Sequence, residues 1–350
     1  MISPLYQTFT NIMEISLKNT GSKSISIRKG RYFFVSMAIL FPILAALGFI
    51  PDYQMFAQEN IKLHWFLHVH GLIMTAWLGI FLALTLLVAK DNVKRHRQLG
   101  QTGFVFGILV WLSLLGITVR ALIVNNPPEP GGQFDILFIQ LYLLVLFGIF
   151  FAWGILVRKQ AAAHKRLLLL ATLIVIQAGI DRIRFLPGLQ TAVFVRFIYL
   201  DILLIPLFIY DWLSLRRFHL ITWVGTLLIV IFQTSITLSW GSPGWHHFWY
   251  AAITPFVERV PEIELADVKT DLLLGNYGDQ KWHLTVSREA GKLYLQLPGN
   301  PKWELGAASE TDLFLKADNW KLHFVKGPDG KVTKLVNDQI FKVWEVPRMQ

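Results

Sequence analysis

Leu63–Ala89 reads LHWFLHVHGLIMTAWLGIFLALTLLVA, an apolar run without one Asp, Glu, Lys or Arg. The hydrocarbon core of a bilayer is crossed by a helix of about 20 such residues. Six further stretches have the same character: Tyr32–Ile50, Gly103–Val124, Asp135–Val157, Leu167–Phe185, Ala192–Leu213 and Leu220–Trp240. Turn chemistry separates them, at Pro51-Asp52, Asn125-Asn126-Pro127-Pro128, Gly131-Gly132 and Pro187-Gly188. The whole chain agrees: 54% of it is hydrophobic, 16% is charged and the mean hydropathy is +0.47. A soluble domain is about a quarter charged. The expected fold is an α-helical polytopic membrane bundle of about seven transmembrane helices, with the lipid bilayer as its first partner.

Charge sets the expected orientation. Cations crowd the tail (Lys18, Lys23, Arg28, Lys29, Arg31) and three connections: Lys90, Lys94, Arg95 and Arg97; Arg158, Lys159, Lys165 and Arg166; Arg216 and Arg217. The opposite side holds Lys62, Arg120, Arg182, Arg184 and Arg196, so the balance is fifteen against five. The positive-inside rule then puts residues 1–31 in the cytoplasm as a basic tail, residues 32–240 in the inner membrane, and the C-terminus outside. The first stretch is expected to stay as an anchor, because no small-residue cleavage site follows it. The net charge of +10 belongs to this part: residues 1–257 hold 20 Lys/Arg against 9 Asp/Glu, and residues 258–350 hold 13 against 14. No basic, aromatic-studded soluble face is present, so nucleic acid is not an expected partner. The absence of Cys excludes disulfides, thiolate metal sites and Cys nucleophiles.

Residues 241–261 form a linker at the interface, with Trp245, Phe248, Trp249 and Tyr250 suited to the water–lipid boundary. From Glu262 the pattern changes to period two, in Trp282/Leu284/Val286 and Leu293/Leu295/Leu297. Short strands follow near Leu313–Leu315, Leu322–Phe324, Val332–Leu335 and Ile340–Val343, with turns at Ala290-Gly291, Pro298-Gly299 and Pro328-Asp329-Gly330. Residues 262–350 are therefore expected to be a small all-β, extracytoplasmic barrel-like domain.

The stretch GNYGDQKWHLTVSREAGKLYLQLPGNPKWELGAASETDLFLKADNWKLHFVKGPDGKVTKLV within Leu274–Val346 resembles the lipocalin-like C-terminal domain of penicillin-binding-protein-like serine hydrolases. The likeness rests on a GxY opening, an LTVxxxxGKLYLQxPG hairpin and an FxKxxDGKVTxL hairpin in that order. It implies an eight-stranded barrel. It implies no hydrolysis, since no S-x-x-K motif stands in a soluble α/β context. The helical part, from LHWFLHVHGLIMTAWLGIFLALTLLVAK through RHRQLG to AHKRLLLLATLIVIQAGIDRI, resembles a group of uncharacterised bacterial polytopic proteins. Its His-rich helix entries are also similar to those of b-type membrane cytochromes.

Three constellations could carry chemistry. His64 and His68 share a helix face near the outer end of the second span, with His70 turned elsewhere, and His246 and His247 lie on the same side of the membrane. Paired His can hold a divalent metal if further ligands join; they can equally meet water at the helix end. Gln177, Asp181, Arg182 and Arg184 lie near the outer end of the fifth span, and Arg196 and Asp201 lie in the sixth, Asp201 about 12 Å deep. Ionisable groups at that depth mark a wet site or pair with each other. His96 in KRHRQLG and His164 in AAAHKRLLLL occupy equivalent places before the third and fifth spans. They could clamp haem b, or their basic surroundings could meet lipid headgroups. Phosphate loops, H-E-x-x-H and G-x-S-x-G motifs are not found. The reading that results is binding or sensing of a small molecule or ion at an outer vestibule under the β domain, with no enzymatic activity assigned. A haem electron carrier and a structural scaffold are the alternatives.

Overall fold

The computed structural model describes residues 25–124, 131–189, 191–256, 261–279, 283–316, 320–339 and 341–349. Lys18 and Lys23 of the tail, the Asn125–Pro128 turn, Trp282 and Ile340 lie outside the described residues. Seven helices among those described are long and apolar enough to cross a membrane. They are α1 (Ile25–Gln58), α2 (Trp65–Ala89), α3 (Val93–Val124), α4 (Gln133–Leu156), α5 (Ala161–Ile180), the split pair α6 (Val193–Ile202) and α7 (Ile205–Leu215), and α8 (Leu220–Ser239). The chain is a multi-pass membrane protein by this architecture. Leu72, Leu156 and Leu238, each more than 70% exposed, would be unfavourable in water and belong to a lipid-facing surface.

Helices α1 to α5 form a ring in which each packs on the next and α5 returns to α1; α8 lies against α4 and α5, and α6–α7 bridges α5, α8 and α1. Aromatic rings fill the centre. Phe41 stacks on Phe81, and Trp77 meets Phe147 and Phe151 edge-on. α5 is the most enclosed helix, with 78% of its apolar window buried. Its backbone touches α1 where Gly48 faces Gly179: a Cβ on Gly48 would stand 2.0 Å from the Gly179 carbonyl oxygen. Without a hydrophobic drive between helices in lipid, small residues at such crossings let the backbones approach and gain dispersion contacts.

The boundaries differ from the expected ones in ways that matter for the site. α1 runs through Pro51 to Gln58, so Pro51-Asp52 is no turn, and Asp52 rides on the helix one turn beyond Gly48. α3 and α5 begin at Val93 and Ala161, which places His96 and His164 inside helices. α5 stops at Ile180, so Asp181 caps it and Arg182 and Arg184 lie in the following turns.

Arg166, counted among the loop cations, is buried. Its guanidinium pairs with Asp211 of α7, which also accepts from Thr222 Oγ1 (2.6 Å) and His219 N (2.8 Å). Arg166 Nη1 donates to Ala162 O at 2.6 Å. This network ties α5, α7 and α8 together and removes one residue from the cationic count, which still favours the same side.

After α8, α9 (Pro243–Ile253) carries the interfacial aromatics, Trp245 stacking on Phe138 at 4.2 Å. The chain then turns through α10 (Asp267–Asp271) into the β domain. Strands β2 (Gly275–Gly278), β3 (His283–Glu289), β4 (Lys292–Gln296), β5 (Trp303–Ala307), β6 (Asp312–Leu315), β7 (Lys321–Lys326), β8 (Val332–Asp338) and β9 (Lys342–Pro347) form a consecutive antiparallel meander. The β3–β4 turn has positive φ at Ala290 (49°) and Gly291 (80°), the tight hairpin geometry that matches strand twist. The sheet curls until Tyr277 bridges Arg348, Met349 N donates to Asn276 O at 2.8 Å, and the Arg348 guanidinium binds the Leu272 and Leu274 carbonyls. A ninth strand, β1 (Lys62–Leu63), comes from the α1–α2 loop and pairs with the start of β9. The membrane part thereby supplies an edge strand to the β domain.

Candidate functional site

The Gly48–Gly179 crossing brings Asp52 over the turn that follows α5. Asp52 takes Arg184 at 3.0 Å and Arg182 at 3.5 Å. Arg182 also lies over the Phe49 ring, 4.8 Å from its centre. From the β domain, Lys342 comes within electrostatic range of Asp52 and Glu59. Asp52 was hidden from a sequence reading that placed it in a turn.

With Asp52 holding two arginines, the carboxylates of Asp181 and Asp201 go elsewhere. Asp181 accepts from Gln177 Nε2 at 2.6 Å, and the same nitrogen reaches Arg196 O at 3.1 Å. Arg196 Nε donates to Leu189 O at 3.2 Å. Asp201 accepts from Gln233 Nε2 of α8 at 3.0 Å. Among the described residues, neither Asp181 nor Asp201 has a cation within ion-pair distance; both are bound through neutral amides. The alternative of an Asp–Arg ion pair tying the fifth span to the sixth is not seen among the described residues.

Tyr142 of α4 lies between the two groups. It is fully buried, within electrostatic range of both Asp181 and Asp201, and its hydroxyl lies beside the Gln233 side chain without a partner in good hydrogen-bond geometry. Gln177 Oε1 is likewise buried and unpaired. An unpaired buried polar atom forfeits roughly 1–3 kcal/mol of hydration, so two of them beside two carboxylates form an unsatisfied polar set.

The helical bonding pattern changes near Asp201. α6 ends at Ile202, and Leu203 and Leu204 turn tightly with Leu204 N on Asp201 O at 2.9 Å before α7 begins. Pro206 lacks the N–H that would bond the Ile202 carbonyl, and the bonding here is i→i+3 while Leu203 and Leu204 keep right-handed helical φ and ψ. Pro206 was the available signal for this change in the sequence.

The histidines distribute unevenly. His70, not His68, turns inward: its Nδ1 bonds Ser113 Oγ at 3.1 Å and it lies within electrostatic range of Arg182. His68 is exposed, 6.5 Å from the Tyr53 ring. His64 Nε2 bonds Asp338 Oδ1 (3.1 Å) and Gln339 O (3.2 Å) of the β domain. His246 bonds Asp135 at the start of α4 at 3.1 Å, where Asp135 also accepts from Gly241 N, and His247 bonds Pro243 O. Among the described residues, no three His, Asp or Glu side chains converge as metal ligands. His64 and His246 act as ties between segments.

At the ends of the helices away from the β domain, the two hairpins α2–α3 and α4–α5 make matching contacts. His96 Nδ1 bonds Leu84 O at 3.1 Å, and His164 Nδ1 bonds Gly154 O at 2.8 Å. The two rings are close enough to interact electrostatically. A carbonyl partner puts the proton on Nδ1 and leaves each Nε2 as a lone-pair donor.

Comparison of the chain with protein-family models, with curated proteins and with solved structures finds no match.

Proposed function

We propose that the protein binds a small polar ligand or ion in the outer half of its helical bundle, at Gln177, Asp181, Asp201, Tyr142 and Gln233, with Arg182 and Arg196 at the entrance. One observation carries the reading: two carboxylates held by glutamine amides, near a buried glutamine oxygen without a partner and a buried tyrosine hydroxyl poorly aligned with its polar neighbour. A structural ion pair would have matched each carboxylate with an arginine. The lopsided cation count supports an N-terminus in the cytoplasm of an inner membrane and a β domain outside, standing over this site and tied to it through Asp52 and Lys342. The lipocalin-like resemblance of that domain stands as part of the same proposal and assigns it no chemistry.

The test is thermal unfolding of the detergent-purified full chain against a panel of sodium, potassium, bicarbonate, phosphate and small amino acids. At least one is expected to raise the midpoint of the wild type and not that of Asp201→Asn, whose amide keeps shape and hydrogen bonds. If no panel member acts on the wild type, or if Asp201→Asn responds equally, the site is a scaffold.

A second reading is favoured by one observation of its own. His96 and His164 each present an unprotonated Nε2 from equivalent places on two hairpins, as axial ligands of a haem iron do. Haem b there would make the protein an electron carrier, with quinone as its partner. The absorption spectrum of protein purified from haem-supplied cells decides: a Soret band lost in both His96→Leu and His164→Leu supports it, and a featureless visible spectrum removes it.

A further inference from the structure

The two ends of the barrel are finished differently. At the end away from the bundle, α10 is held by Arg288 on Asp267 and Asp271 (2.7 and 3.1 Å) and by Lys269 on Glu310. Tyr277 donates to Leu273 O there at 2.7 Å. The other end carries the β8–β9 turn and meets the α1–α2 loop. Strand parity turns Trp303, Trp320, Asn337, Trp344 and Lys342 inward at this end. Trp303 pairs with the core residue Leu295, and Asn337 pairs with Leu322 on one side and Trp344 on the other. The three indoles form a row, with 6.5 Å from Trp303 to Trp320 and 5.9 Å from Trp320 to Trp344. Ile61 of the membrane part packs against the same cluster.

Asn337 is the anomaly. It is fully buried, and neither its Oδ1 nor its Nδ2 has a hydrogen-bond partner. A carboxamide offers donors and acceptors together, and native interiors seldom leave one unpaired unless a ligand or water takes it up. Lys342 is its diagonal cross-strand neighbour, about 7–8 Å away between backbones. Burial holds the Lys342 ammonium below the ordinary lysine value, against the opposing pull of Glu59 and Asp52. An eight-stranded barrel has room inside for side chains or for one small ligand.

We propose that this end of the barrel binds a long-chain carboxylate, its carboxylate between the Asn337 amide and the Lys342 ammonium and its chain running past the tryptophans and Ile61 toward the bilayer. This site has Lys342 in common with the contact to Asp52 but does not rest on ligand binding in the bundle.

The experiment uses the full chain in nanodiscs and a palmitate analogue carrying a mid-chain diazirine, with a diazirine phosphatidylcholine as the second arm. Photolabelling by the palmitate is expected on peptides spanning Trp320 and Trp344. It should fall about tenfold or more in Asn337→Leu and in Lys342→Gln, the loss that follows from removing one hydrogen bond to a charged group. Asn337→Leu should melt no lower than the wild type, because it replaces an unsatisfied amide. Four results would overturn the proposal: labelling unchanged in both variants, labelling confined to the membrane helices, stronger labelling by the phospholipid, or an Asn337→Leu protein that melts several degrees lower.

Discussion

Tyr142→Phe removes one oxygen and nothing else. The ring contacts to Phe197 and Phe232, 6.1 and 6.2 Å between centres, stay available to phenylalanine. The hydroxyl is buried beside the Gln233 side chain without a well-aligned hydrogen bond. Its desolvation therefore weighs roughly 1–3 kcal/mol against the folded state. The dispersion lost with one atom is a few tenths of that, about 0.1–0.2 kcal/mol per contact. The net expectation is a gain of about 1–2 kcal/mol, discounted by the partners a tyrosine finds in the unfolded membrane-bound state. For a folded unit of this size that corresponds to a midpoint roughly 2–4 °C higher per kcal/mol. The assay is thermal unfolding of detergent-purified protein at one fixed scan rate, because such unfolding is often irreversible. The same variant should lose the response to whichever panel member stabilises the wild type. A midpoint several degrees below wild type would mean that the hydroxyl already has a protein partner, and the unsatisfied set that supports the proposed site would not exist.

The Arg166–Asp211 pair should behave in the opposite way: Asp211→Ala strands a buried guanidinium and is expected to cost about 3–5 kcal/mol, while Arg166→Met/Asp211→Leu recovers much of it in the same melting assay. A reporter fused after Gln350 is expected to be active only if of the type that folds outside the cytoplasm, and one inserted near Gln98 only if of the type that folds inside; the reverse pair would overturn the orientation. A fragment of residues 262–350 should give a β-rich circular dichroism spectrum, and a fragment preceded by the Glu59–His64 segment should melt higher, since Ile61 and β1 then fill the core and the β9 edge. An unfolded or helical spectrum would show that the strands require the bundle.

Much of this architecture was legible in one dimension. A helix crossing lipid must satisfy its backbone internally and clothe itself in apolar side chains, so each span declares itself locally over about 20 residues. Period-two alternation and the Ala290-Gly291, Pro298-Gly299 and Pro328-Asp329-Gly330 turns likewise act between near neighbours, and they mark the β domain. Two strands, Gly275–Gly278 and Trp303–Ala307, carry weaker alternation, and β1 is only two residues long; its strand character exists because β9 lies beside it.

The site depended on which residues meet across the bundle, and that is a tertiary fact. Asp181 stands next to Arg182 in the chain, yet helix geometry and the Gly48–Gly179 crossing give Arg182 to Asp52 and leave Asp181 to Gln177. Asp201 finds Gln233, thirty-two positions away. Arg166 looks like a loop cation until Asp211 arrives from α7 to neutralise it. His68 and His70 differ by two residues and point to different surroundings, because α1 and α3 flank α2 on particular sides. Hydropathy and charge counts are sums over the chain, and they survive any rearrangement of partners. Pairing, burial and the unsatisfied atoms of Tyr142, Gln177 and Asn337 are differences between neighbours in space, and only packing the helices and closing the barrel decides them.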